Sequence, residues 1–172
     1  MKEDRKNRLI WGALLLVGAF GCASLRNNPA LGITPLAVGV IEGLIYVCFL
    51  MAMRLSDWRM AAVIAVATPI YLWAQRFLDG FMIPVDILVN MTLLGCMAVI
   101  LKKKWPYWAK GLFLALPAFM VMIIGSTIAI WLVKNERIVR ALIVAWNTDV
   151  YSGLSILGAA LACIPFKKGK KE

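Results

Sequence analysis

The sequence predicts an all-α integral membrane protein: one bundle of six transmembrane helices filling residues 1–172, with both termini on the cytoplasmic side. Three observations carry that expectation. The chain is 62% hydrophobic and only 16% charged, with a mean hydropathy of +0.82, whereas soluble domains are about half apolar and a quarter charged. Apolar runs recur near the roughly 20 residues that cross a ~30 Å hydrocarbon core at ~1.5 Å per residue. Basic residues divide unequally between the two sets of flanking segments, and such residues are retained on the cytoplasmic side.

The first run, about 9–25, follows Lys2, Arg5, Lys6 and Arg8 and lacks a convincing small-residue cleavage site, so it reads as a retained span. The second, about 33–53, carries Glu42 some nine residues in, or roughly 13 Å by helical rise. The third and sixth, about 60–76 and 150–166, are short, and the fourth and fifth cover about 82–101 and 109–133. Turn and charge signals separate them: Arg26 to Gly32 with its Asn-Asn-Pro, Arg54 to Arg59, Phe77 to Phe81 with Asp79-Gly80, and Lys102 to Tyr107.

Lys134 to Asp149 is the longest connection, yet its interior reads Ile-Val-Arg-Ala-Leu-Ile-Val-Ala-Trp, too apolar for a solvated loop. It reads either as a lid over a site or as an extension of the fifth helix.

Counted along the chain, fourteen Lys/Arg fall in the segments assigned to the inside and five (Arg26, Arg76, Lys134, Arg137, Arg140) in those assigned to the outside. The aromatics keep the same register, with Trp11, Trp58, Trp105, Tyr107 and Trp108 at the inner boundary and Tyr71, Trp73, Trp131, Trp146 and Tyr151 near the outer one. Such residues anchor helices at interfaces whether or not they do anything else. The basic residues act as topology signals, so nucleic acid is not an expected partner despite a net charge of +10.

That orientation sorts the polar residues by depth. Glu42, Gln75, Arg76, Asp86, Asn90, Asn147, Asp149, Tyr151 and Ser152 fall toward the outside, while the inner half is mainly Ala, Val, Leu, Ile, Met, Gly and Cys. A carboxylate facing lipid at depth costs several kcal/mol, so Glu42 and Asp86 must face the bundle interior, water or a partner. Asp86 and Asn90 stand one turn apart on one helical face. The expectation is an outward-facing pocket for a small molecule, with Glu42, Asp86 and Asn90 as polar determinants, Trp73 or Trp146 as stacking walls, and Arg76, Asn147 and Tyr151 at its border. Two structural alternatives stand beside it: Glu42 pairs with an outer arginine such as Arg76, and Asp86 serves the N-terminus of its own helix.

No catalytic, metal or cofactor site is expected. The chain has no His, and Cys22, Cys48, Cys96 and Cys163 lie in separate apolar runs without a CxxC pair, as small packing residues would. There is no glycine-rich ATP loop, no hydrolytic constellation, and little room for paired inverted repeats. Energised uptake would need partners.

Small residues crowd the first run, including Ala19-Phe-Gly-Cys-Ala23, and the last, with Gly153, Gly158, Ala159, Ala160 and Ala162. This spacing lets helix backbones approach closely, within the chain or against another subunit.

Length, span count, orientation, outer pocket and alanine-spaced first helix together resemble the substrate-binding S components of energy-coupling factor transporters. Locally, Ile83-Pro84-Val-Asp86-Ile-Leu-Val-Asn90 followed by Lys102-Lys103-Lys104, and Trp146-Asn147 leading to Gly153 and a basic tail, look like that family's fourth and sixth helices. The resemblance implies a multi-pass protein of the bacterial plasma membrane that captures a vitamin-like micronutrient from outside. It implies a transmembrane coupling subunit and two ATPase subunits as partners, Ala19 and Ala23 as contacts to the coupling subunit, and ligand contacts from the loops after spans one and three and from spans four to six. The rival expectation is a structural membrane scaffold of the rod-shape type that binds other membrane proteins, with an unrecognised membrane enzyme third.

Overall fold

The computed structural model describes residues 2–25 and 35–164, with side chains from residue 6 in the first stretch and residue 37 in the second. The Arg26 to Gly32 turn and the basic residues at 167, 168, 170 and 171 lie outside the described residues. Six helices follow one another: α1 (Lys2–Ser24), α2 (Pro35–Leu55), α3 (Trp58–Ala74), α4 (Ile83–Ile100), α5 (Tyr107–Lys134) and α6 (Ile138–Cys163). A 3-10 turn, Gly80–Met82, leads into α4, and no strand occurs among the described residues.

Four of these elements are long and apolar enough to cross a membrane: Lys6–Ser24, Ala37–Leu55, Gly80–Ile100 and Tyr107–Lys134. They mark a membrane-embedded protein. Helix α3 is apolar but has 17 residues. Helix α6 has 26, and Asn147-Thr148-Asp149 near its middle lowers its hydropathy.

The largest departure from the sequence reading lies in α6. The apolar segment after Lys134 is neither a lid nor more of the fifth helix. Asn135 closes α5 in the left-handed conformation (φ 51°), which Asn tolerates better than most side chains. Arg137 is then extended and α6 begins at Ile138.

Helices α2, α3, α4, α5 and α6 form a closed ring in which each packs on the next and α6 returns to α2. Helix α1 lies outside the ring against α2 and α3. Its tie to α3 is partly polar, since Ser24 Oγ and Tyr71 OH are 2.7 Å apart and Phe20 stacks on Tyr71 at 4.5 Å between centroids.

Small residues set the helix separations. At the α2–α6 crossing Ser155 Oγ donates to the carbonyl of Gly39 at 2.6 Å, and a Cβ on Gly39 would stand 3.0 Å from that oxygen. Gly153 lets the Phe119 ring of α5 lie directly on the α6 backbone.

The main core lies away from the α3–α4 and α5–α6 connections. Phe49, Leu50, Leu93, Met97, Ile100, Leu114 and Ile156 are buried there. Ala19 belongs to this cluster, and Ala23 to a smaller one with Ile41, Ile45 and Leu72. Both alanines are fully covered by the chain itself, so within the chain their spacing serves packing of α1 on its neighbours.

Candidate functional site

The α2–α6 ring encloses a cavity of about 570 Å³, within the roughly 300–1,000 Å³ of small-molecule sites. Every ring helix contributes to its wall and α1 does not. The lining comes from the N-terminal halves of α2 and α4, the C-terminal end of α3, the C-terminal half of α5 and the middle of α6. The cavity therefore sits toward the end that carries the α3–α4 and α5–α6 connections.

Six of the eight residues expected from the sequence line it: Glu42, Arg76, Asp86, Asn90, Asn147 and Tyr151. Trp73 and Trp146 do not. Trp73 is 51% exposed and lies over Gly80, and Trp146 is 52% exposed with its edge on Phe119 at 5.9 Å. The aromatic walls are instead Tyr46, Phe77 and Tyr151.

Glu42 reaches across from α2 to α6, where the Ser152 hydroxyl donates to its carboxylate. Asp86 lies in the first turn of α4, where no side chain caps the helix by a hydrogen bond, and it also lines the cavity. A carboxylate there gains about 0.3–1 kcal/mol from the helix dipole.

Arg76 ends α3 in an unusual way. Its N–H donates to Trp73 O at 2.8 Å and that of Phe77 to Leu72 O at 2.9 Å, a Schellman closure whose left-handed position normally belongs to Gly. Here φ is 62° on an arginine, at a cost of about 1–2 kcal/mol. That turn places Arg76 in the cavity lining.

Asn90 has a structural duty that its spacing does not reveal. Pro69 lacks the N–H that would bond the carbonyl of Ala65 four residues back. The Asn90 amide of α4 donates to that carbonyl at 2.8 Å, which ties α4 to α3 and places Asn90 in the wall.

Four lining residues outside the expected set bear on the chemistry. Asp79 and Thr148 line the mouth as exposed residues, whereas Ser126 and Asp149 are buried. Ser126 stands close enough to Asp149 to interact with it, as does the Glu42 carboxylate. Even so, Ser126 Oγ and Asp149 Oδ2 are buried without a hydrogen-bond partner among the described residues. Asp149 was visible as one of the outer polar residues, but it became a wall residue only once α6 was seen to extend back to Ile138. Ser126, uncharged within an apolar run, gave no signal.

No protein-family model, curated protein or solved structure matches the chain.

Proposed function

We propose that the protein is the membrane-embedded binding subunit of an uptake system, capturing a small water-soluble micronutrient from outside a bacterial cell. The observation that carries this reading is the polar cavity built by all five ring helices at one end of the bundle. Fourteen of the nineteen Lys/Arg lie in segments assigned to the other end, which the positive-inside rule puts in the cytoplasm.

In this account all six helices cross, with both termini inside. Helix α3 is about 26 Å long and α6 about 39 Å by helical rise. The Asn147-Thr148-Asp149 turn of α6 contributes to the cavity wall, which accounts for polar groups at membrane depth. Release of the solute inward would draw on ATP through a separate transmembrane coupling subunit and two ATPase subunits of the energy-coupling factor type.

Thermal-shift screening of the purified protein against vitamins, nucleobases and amino acids tests the reading, because a ligand that binds only the native state raises apparent stability. A concentration-dependent rise in Tm is expected for one compound class. The scaffold alternative predicts no stabilising small molecule and stable co-purification with a wall-synthesis or division complex, and that pair of results would displace the uptake reading.

A further inference from the structure

The cavity wall carries Glu42, Asp79, Asp86 and Asp149 against a single guanidinium, that of Arg76. These are four of the nine acidic residues of a chain whose net charge is +10, so the cavity wall has a charge balance opposite to that of the chain as a whole. Acidic residues alone do not make a site. A second observation lies beside them on α5: Ser126 is 1% exposed, lines the cavity, and its hydroxyl has no hydrogen-bond partner among the described residues. Asp149, 7% exposed, has an equally unpartnered Oδ2.

Burying such groups without partners is costly, most of all for a charge. A bound molecule that brings N–H donors and positive charge would satisfy both groups at once. A metal ion fits poorly, since no three or more His, Cys, Asp or Glu among the described residues converge on one point. The carboxylates are spread around a volume suited to an organic molecule, on α2, α4, α6 and the α3–α4 connection.

We propose that the solute captured here is a small organic cation, an amine, amidine or cationic heterocycle whose charged N–H end sits at Asp149 and Ser126 under Glu42. This deepens the capture reading and rests on it.

The test is a charge-paired reactivity measurement on the full chain. Thr148→Cys, and Asn147→Cys as a second position, place a thiol in the wall. None of the four native cysteines lines the cavity, so the native chain gives the baseline. Each variant is treated with a trimethylammonium and a sulfonate methanethiosulfonate of matched size. The cationic reagent is expected to react at least tenfold faster than the sulfonate, relative to the ratio for free cysteine. Adding Asp149→Asn, or Glu42→Gln should that variant fail to fold, is expected to cut the ratio severalfold.

Equal rates, a sulfonate preference, or a ratio untouched by either carboxylate substitution overturns the cation assignment and leaves capture standing. Failure of both reagents at both positions removes the open cavity and both readings with it. An anion as the best stabiliser in the thermal-shift screen also overturns the assignment.

Discussion

The two ends of this bundle are made from the same helices yet solve opposite problems. Toward the α4–α5 connection, Leu93, Met97, Ile100 and Leu114 interlock with Phe49, Leu50 and Ile156, and the buried residues there are apolar apart from Ser56 and the inner nitrogens of Arg54. Toward the α3–α4 and α5–α6 connections the ring opens around carboxylates, amides and hydroxyls. The first end holds the helices together, and the second is held in shape by them. Apolar packing and polar lining are thereby separated along the bundle axis, and substitutions at each end should move different observables.

Leu93→Ala is expected to have the largest effect on stability. In lipid the transfer contribution is small, so the loss comes from the void, about 2 kcal/mol at ~24 cal/mol per Å³ of unfilled space. Reversible unfolding in mixed micelles measures it, and ligand affinity of the folded fraction should not change. A lost affinity at unchanged stability would break the separation.

Asn90→Ala should follow at about 1–2 kcal/mol, the cost of stranding the Ala65 carbonyl. Pro69→Ala restores an N–H to that carbonyl, so the double variant should lose less than the sum of the two single ones. Strict additivity would show that Asn90 is not compensating for the proline.

The smallest effect belongs to Arg76→Gly. Relief of left-handed strain is partly offset by the extra freedom of Gly in the unfolded chain, for a net gain of about 0.5 kcal/mol. Arg76→Ala keeps the strain and should show no gain. Equal stability of the two variants would mean that the backbone at this turn carries no strain.

The dry end was the easier to read. Helices α2 to α5 have bounds within two residues of the apolar runs, because isolated charges leave their mean hydropathy high from end to end. Charge also found part of the cavity, since Glu42 and Asp86 have nowhere else to go in lipid. The start of α6 was hidden because Asn147-Thr148-Asp149 interrupts its hydropathy where it meets the cavity.

Other features depend on how helices face one another, which spacing does not encode. Trp73 and Trp146 are turned to the outer surface of the bundle and not to the cavity. The bond from Asn90 to Ala65 depends on the register of α4 against α3, and Pro69 hints only that some donor is needed. Ala19 and Ala23 have a spacing that fits either a partner or a neighbouring helix, and within the chain both pack α1 on the ring.

If the polar end binds a solute through its carboxylates, calorimetric titration of the best stabilising compound into wild-type protein, Glu42→Gln and Asp86→Asn will show it. Affinity is expected to be about tenfold weaker in at least one of the two variants, the loss of one charge-assisted hydrogen bond, with Leu93→Ala as the unaffected control. Wild-type affinity in both variants would contradict it.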